Sequence, residues 1–197
     1  MKIVLTLVLA LTTLSLAHAS PKKSESTHAN LDVAKSQALW TGKKLAGSHN
    51  GKILFKGGMF EFKKNLLSGG EVVADLTSIT NEDVKDAGYN QKLVGHLKSP
   101  DFFDVEKFPK ARFTSTAIKA GGEGGASHTV TGNLELHGVT KSVTFPATIR
   151  VSGDGADVDA DLAINRKDFG IVFEGMKDDL IKDNVSIKLT IRAKKGT

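Results

Sequence analysis

Hydrophobic and polar residues alternate along most of this chain with a period of two, which indicates β-strands that bury one face. The pattern is clearest in residues 129–137 and returns in the later segments 143–151, 158–164 and 185–191. On the face that we expect to be buried lie Val130, Gly132, Leu134 and Leu136, then Val143, Phe145, Ala147, Ile149 and Val151, then Val158, Ala160, Leu162 and Ile164, and finally Val185, Ile187, Leu189 and Ile191.

The alternation is less regular in the first half of the chain, where shorter segments still place large apolar residues two apart. We expect strands at 36–45, 51–56, 58–64, 71–79 and 111–119. With the later segments they make about eight to ten antiparallel strands. Closure removes the exposed edges of such a sheet, so the predicted fold is all-β with one short helical insertion, an extended antiparallel β-barrel of about eight strands.

The helical insertion is predicted from a change of period between two of these strands. Tyr89, Leu93 and Leu97 are spaced to share one face of a helix. Thr80 and Asp83 have the spacing of a capping box, which would begin the helix there.

A connector follows this helix and holds two adjacent phenylalanines, Phe102 and Phe103, between Pro100 and Pro109. Each proline disfavours helix in the residue before it. We therefore expect residues 95–109 to form a compact, aromatic-rich connector between two β regions.

The first residues have the pattern of an export signal. Lys2 precedes an apolar run at 3–16, and small residues flank His18 before Ser20. The run is shorter than the about 20 residues of a membrane-spanning helix, and no later segment approaches that length. We expect a signal peptide at 1–19 cleaved after Ala19, a periplasmic or secreted mature chain without a transmembrane segment, a disordered polar lead-in at 20–30, and a barrel domain at 31–195.

The amino-acid composition excludes several kinds of functional site and partner. The chain has no cysteine, which excludes disulfides, thiolate nucleophiles and cysteine-zinc sites. The net charge is +5, or +4 once Lys2 is removed, and the charges are interleaved along the chain. Because a nucleic-acid surface needs a basic patch with exposed aromatic residues, we expect no nucleic-acid partner.

One acidic stretch, the alternating aspartates of 157–161, begins like a calcium-binding EF-hand loop. Leu162 stands where that loop requires glycine, and Asp168 stands where it requires glutamate. We therefore expect a solvated acidic face that pairs across the sheet with Lys188 and Arg192.

The histidines do not have the spacing of a metal site. His49, His96, His128 and His137 are scattered, and the chain also lacks the G-x-S-x-G motif of a serine hydrolase. We expect no metal, no catalytic residue and no enzyme. The alternatives are a metal-dependent or hydrolytic enzyme that uses His49 and His96, or a structural stress protein with a sealed core.

The aromatic residues suggest a cavity. Seven of the ten phenylalanines lie between Phe55 and Phe113, with Trp40 and Tyr89 nearby. An eight-stranded barrel can hold one small ligand, and the inward positions are nearly all apolar. These features suit a long, thin hydrocarbon tail, although the pattern does not separate a hollow barrel from a filled one.

Short motifs that follow one another over residues 31–193 form a specific ordered set. They stand at 40–43, 49–51, 69–72, 75–79, 96–109, 130–134, 137–141, 145–146 and 165–171. In these motifs the chain resembles the YceI-like family, periplasmic lipocalin-like barrels associated with polyisoprenoid or isoprenoid-quinone binding.

The resemblance implies an extended lipocalin-like barrel around an apolar channel, with the helical connector near its mouth, and a homodimer, which many family members form. It implies a non-enzymatic binding protein for a long isoprenoid amphiphile that serves carriage, storage or stress protection, with no cofactor besides the bound lipid or quinone. Our wall candidates are Trp40, Phe55, Phe60, Phe62, Phe113, Leu134, Phe145 and Leu162, our mouth candidates are Leu93, Leu97, Phe102 and Phe103, and our head-group candidates are His49, His96 and Arg166.

Overall fold

The structure, a computed structural model, describes residues 26–195, so the predicted signal peptide and residues 20–25 lie outside the described residues. One α-helix and four short 3₁₀ helices accompany the strands: α1 (Ala87–Lys98), Val33–Lys35, Leu76–Ser78, Glu123–Gly125 and Arg166–Phe169. The strands are β1 (Ser26–Leu31), β2 (Gln37–Lys44), β3 (Gly47–Lys63), β4 (Leu66–Asp75), β5 (Lys110–Ala120), β6 (His128–Leu136), β7 (Val139–Ser152), β8 (Gly155–Asn165), β9 (Gly175–Met176) and β10 (Asp179–Lys195).

Eight strands close into an antiparallel barrel. Each strand from β2 to β7 pairs with the strand that follows it, and β10 closes the ring by pairing with both β8 and β2. The predicted closed barrel with one helix is confirmed. Within the described residues, no helix is both long enough and apolar enough to cross a membrane.

The position between β3 and β10 is filled by two strands in succession. β1 pairs with β3 and β10, and β2 pairs with the same two strands further along. β1 and β2 therefore occupy one place in the ring, and the short helix Val33–Lys35 separates them. The predicted disorder over 20–30 is therefore wrong from Ser26 onward. Ala29 and Leu31 are buried inside the barrel. Their apolar contacts order this segment, although the residues around them in the sequence are mostly polar.

β3 is one long strand, where the alternation had indicated two. Its pairing with β4 shifts between Phe55 and Gly57, which is the position of a bulge. The extra residue changes the parity of the inward face, from Ile53 and Phe55 before the bulge to Phe60 and Phe62 after it. A broken alternation can therefore belong to a single bent strand.

Helix α1 begins at Ala87, seven residues after the expected cap. Its N-cap is Asp86, whose carboxylate accepts a hydrogen bond from the Tyr89 N–H at 2.9 Å. The expected capping box is wrong because the Asp83 carboxylate instead accepts the backbone N–H of Asn50 on β3. The expected shared face is also incomplete, since Tyr89 is 69% exposed.

The two ends of the barrel differ. We call one the hairpin end, because it carries the β3–β4, β5–β6 and β7–β8 connections at residues 64–65, 121–127 and 153–154. We call the other the helical end, because residues 76–109 and 166–178 cover it.

Candidate functional site

The barrel interior holds a cavity of about 240 Å³. Its wall extends from Ile79 and Leu97 at the helical end to Leu67 and Ile118 towards the hairpin end. On β10 alone the lining continues from Ile181 to Ile191, which is about 33 Å along the strand at the usual rise per residue. The cavity is therefore long and narrow, with the proportions of a single extended chain.

Several inward residues are only half-buried, which is what a hollow barrel requires. Val185, Ile187 and Leu189 point to the cavity, and each keeps part of its surface accessible. In contrast, Ala29 and Phe62 are 1% exposed where the barrel is filled. The apolar surface left uncovered in the middle of the barrel is surface that an apolar ligand could cover.

The few polar side chains in the wall already have partners within the protein. The Trp40 Nε1–H donates to the Thr80 carbonyl at 3.2 Å, and Ser115 Oγ accepts the Gly70 N–H at 2.8 Å. The remaining polar lining residue is Arg166. The wall thus offers a ligand mainly apolar contact, because each polar side chain among the described lining residues has a hydrogen-bond partner within the protein, and this suits a hydrocarbon tail.

Arg166 is 3% exposed and donates its hydrogen bonds to the protein backbone. Its Nη1 lies 2.8 Å from the Ile171 carbonyl oxygen, and its Nε and Nη2 lie 3.3 and 3.4 Å from the carbonyl oxygens of Lys182 and Ile181. Nη2 also lies 3.5 Å from Asp183 Oδ1. Arg166 therefore ties the turn after β8 to β10, and its contact with a ligand head group stays a prediction.

Most of the predicted wall residues meet around the cavity. Phe62 does not, because it packs in the buried cluster with Ala29 and Ala193 and fills the hairpin end. Our aromatic selection missed the aliphatic wall, although the period-two pattern had marked part of it. The predicted residues that line the cavity are Trp40, Phe55, Phe60, Leu97, Phe102, Phe103, Phe113, Leu134, Phe145, Leu162 and Arg166.

The connector supplies the wall at the helical end. Leu97, Phe102 and Phe103 line the cavity there, while Leu93 packs behind them against the cluster of Trp40, Ile79 and Leu97. The connector's backbone folds onto the helix end, with the Phe103 N–H donating to the Leu97 carbonyl at 3.1 Å. These contacts make the connector a fixed part of the barrel end.

His96 stands behind this wall. Its ring makes edge contacts with Phe102 at 5.0 Å and with Phe173 at 4.8 Å between centroids. Its Nε2 lies 3.1 Å from Asp101 Oδ2. His96 supports a lining phenylalanine and lies outside the cavity lining, so its head-group contact stays a prediction.

The loop before α1 is anchored on β3. The Thr80 N–H donates to the Lys52 carbonyl at 3.0 Å, and the Glu82 N–H donates to the Asn50 carbonyl at 2.9 Å. The two segments are so close that a Cβ on Gly51 would stand 1.8 Å from the Thr80 carbonyl oxygen. Glycine at position 51 therefore permits the contact that holds the loop over the barrel end.

Asp83 is the centre of this anchor. Its carboxylate accepts hydrogen bonds from the Asn50 N–H at 2.8 Å and the Asn81 Nδ2–H at 2.6 Å, and it lies 2.7 Å from His49 Nδ1. Burial raises the pKa of Asp83, but the hydrogen bonds from Asn50, His49 and Asn81 outweigh it and lower the pKa to about 2.

His49 is thus paired with a carboxylate outside the cavity lining, and its predicted head-group contact is untested. His49 and His96 each pair with a separate aspartate, Asp83 and Asp101. Within residues 26–195, no three histidine, aspartate or glutamate side chains are grouped closely enough to hold a metal ion. The metal-dependent alternative therefore has no assembled ligand group in the described part of the chain.

Comparisons with known proteins connect this barrel to a family. A family model described as the YceI-like domain matches residues 30–193. UPF0312 proteins of Pseudomonas putida (strain W619) and Pseudomonas fluorescens (strain SBW25) are 42% and 41% identical over 99 residues, which are 47% of this chain and 50% of each relative. The matched region thus spans about half the length of these curated relatives.

Two solved structures have a similar fold. BcnA of Burkholderia cenocepacia is 26% identical with a TM-score of 0.64, and the match covers 82% of this chain and 98% of that protein. A polyisoprenoid binding domain from Saccharophagus degradans is 16% identical with a TM-score of 0.62, covering 87% of this chain and 100% of that domain. At this identity the second likeness shows the fold alone.

Proposed function

Because the chain belongs to the YceI-like family, we propose that it is a non-enzymatic binding protein for a long isoprenoid amphiphile, either a polyisoprenoid or an isoprenoid quinone. The observation that carries this proposal is the long, narrow, apolar cavity, whose polar lining groups are bonded within the protein. Such a cavity takes a tail and leaves a polar head group outside. Carriage of the lipid, its storage, or stress protection is the role that this binding would serve.

Apolar contact alone is enough to give measurable affinity for such a ligand. A ligand with about 30 non-hydrogen atoms at roughly 0.3 kcal/mol per atom gains about 9 kcal/mol, which corresponds to binding at or below micromolar concentration. The polyisoprenoid binding domain of S. degradans shares this barrel architecture, so a polyisoprenoid is a suitable ligand with which to test the proposal.

Occupancy is the first test. We expect protein purified from its native host to release an isoprenoid lipid on organic extraction, and native mass spectrometry to give a matching mass increment. Repeated recovery of an empty protein that does not bind added lipid would contradict the proposal and favour a structural role.

Binding can be measured directly because Trp40, the single tryptophan, lines the cavity. Menatetrenone, a naphthoquinone with a tetraprenyl tail, should quench Trp40 emission in a saturable way. Trp40→Phe is the control, because it should lose the emission signal and still co-elute with the quinone. Co-elution without quenching in the wild type would place the quinone outside the cavity.

We propose further that the chain is exported and that the mature protein begins at Ser20, as its first residues predict. Fractionation of the host followed by N-terminal sequencing tests this. Recovery of the chain from the cytoplasm with residues 1–19 attached would contradict export. Light scattering on the same sample tests the homodimer that the family resemblance implies.

A further inference from the structure

The barrel wall is incomplete between β4 and β5. Their ladder is formed from Asp75–Lys110 to Glu71–Thr114 and ends there. β4 nevertheless begins at Leu66, and β5 continues to Ala120. In the described strands, residues 66–70 have no ladder partner on β5, whereas β5 remains paired with β6 up to Ala120. We call residues 66–70 and 115–120, which pair with β3 and β6 but not with each other, the β4–β5 slit.

The residues that border the β4–β5 slit are also residues of the cavity wall. Leu67 and Gly69 line the cavity from β4, and Ser115 and Ile118 line it from β5. A Cβ on Gly69 would meet no atom closer than 3.7 Å, so the slit is not tightly packed at this position. The bulge between Ser115 and Ala117 turns Ile118 inward.

The helical end is closed more firmly. Trp40, Ile79 and Leu97 are buried together there, and Arg166 joins the turn after β8 to β10. A tail that passed through this end would have to displace the Trp40–Thr80 hydrogen bond as well as this cluster. The slit has a single cross-strand hydrogen bond outside the ladder, from the Gly70 N–H to Ser115 Oγ.

The surface around the slit matches an anionic membrane. The hairpin end carries five lysines, and among residues 26–195 none of these lysines forms an ion pair. Leu66, at the edge of the slit, is 69% exposed. Lysines attract anionic lipid head groups, and an exposed leucine inserts among them. The lysines are Lys63, Lys64, Lys119, Lys194 and Lys195.

We propose that the β4–β5 slit is the passage through which a lipid tail enters and leaves the cavity, and that the hairpin end docks on an anionic bilayer to exchange it. This inference rests on the proposed function and adds the route and the partner surface. The mouth that the family resemblance implies near the helical connector would then be the closed end of the channel.

A disulfide across the slit tests the route. In the double variant Gly69→Cys, Ser115→Cys the new thiols face each other, since the Gly69 Cβ position lies 3.7 Å from Ser115 Oγ. The chain has no other cysteine to interfere. The control is Thr131→Cys, Thr144→Cys, a cross-strand pair on the closed part of the wall whose hydroxyl oxygens are 2.9 Å apart.

Uptake of menatetrenone from mixed phosphatidylcholine and phosphatidylglycerol vesicles is followed by quenching of Trp40. The oxidised slit pair should fail to load on the timescale in which the oxidised control pair loads fully, and reduction should restore loading. Loading of the oxidised slit pair at the control rate overturns the route. A wild type that takes up no quinone in any medium overturns the proposed function itself, so the two failures are distinguishable.

Charge reversal tests the docking surface and does not depend on the disulfide. Lys63→Glu, Lys119→Glu should slow uptake from the anionic vesicles by about tenfold, as expected for the loss of electrostatic steering. Uptake from detergent micelles and the final extent of quenching should stay unchanged. High salt should lower the wild-type rate towards the rate of the variant.

The matched control is Lys141→Glu, Lys177→Glu, which reverses two exposed lysines at the helical end. It should load at the wild-type rate. If this control is slowed and the hairpin-end variant is not, the docking surface is the helical end, where Leu45 and Met176 are also exposed, and the proposal is overturned.

Discussion

Gly51→Ala should loosen the helical end, because position 51 has no room for a side chain. The added Cβ would lie 1.8 Å from the Thr80 oxygen and 2.9 Å from Trp40 Nε1, whereas Cβ contacts are essentially never closer than 3.0 Å. The Thr80 carbonyl must therefore move by about an ångström or more. That movement strains two hydrogen bonds, from Trp40 to Thr80 and from Thr80 to Lys52.

The magnitude follows from these contacts. Two hydrogen bonds contribute about 1 kcal/mol each, and overpacking in a tight site costs about 1–3 kcal/mol, so the free energy of unfolding should fall by about 3–5 kcal/mol. Urea unfolding followed by Trp40 fluorescence measures this, and the native emission should also shift because the indole loses its acceptor.

Gly57→Ala is the matched control on the same strand, since a Cβ there meets nothing within 4 Å. It should change the free energy of unfolding by less than about 1 kcal/mol in either direction. Equal stabilities of the two variants would refute the reasoning, because they would show that the loop can move away from β3 without loss.

Three further predictions concern the cavity, the anchor and metals. Phe103→Ala should weaken menatetrenone binding and cost less than the about 3–5 kcal/mol expected for Phe145→Ala, which is 7% exposed; equal losses in urea melts would make the connector ordinary core. Since the pKa of Asp83 is lowered from 3.8 to about 2, its stabilisation is present above pH 3.8 and is lost as the pH falls through about 2. Allowing for solvent screening it amounts to about 1–2 kcal/mol, and Asp83→Asn should remove this part of the pH dependence of urea unfolding; an unchanged dependence would contradict the anchor. A chelator should leave the melting temperature unchanged, because a metal bound only by the native state would stabilise it by mass action, and a stoichiometric metal whose removal lowers stability would revive the enzyme alternative.

The sequence was most informative where alternation was strict. The strands around Leu134, Phe145, Leu162 and Ile187 lie where the period of two placed them, with the expected residues facing inward. In a strand, residues two apart share one face, so the local alternation is enough to predict which of these side chains face the barrel interior.

The features that were missed depend on distant partners. The alternation does not predict that Gly51 contacts Thr80, or that the Asp83 carboxylate accepts a hydrogen bond from the Asn50 N–H on β3. Each of these contacts joins residues about 30 positions apart. The bulge after Phe55 hid the continuity of β3 for a related reason, because a bulge is defined by the partner strand. The sequence shows the motifs at 40–43, 49–51 and 165–171 but not their role. In the structure, Trp40, His49 and Arg166 of these motifs form hydrogen bonds that stabilise the helical end.

The closing position of β10 has a consequence for how the chain folds. β10 joins β8 on one side and β1 and β2 on the other, and the hydrogen bond between the Arg192 N–H and Ser36 Oγ links residues 156 positions apart. Contacts of such high order make folding slow, and the ring has two open edges until β10 arrives. The cavity is enclosed only when β10 has paired with both neighbours, because β10 supplies part of its wall. On the proposed function, loading of a lipid would follow this pairing, and a lipid held in the closed ring would stabilise the pairing of β10 by mass action.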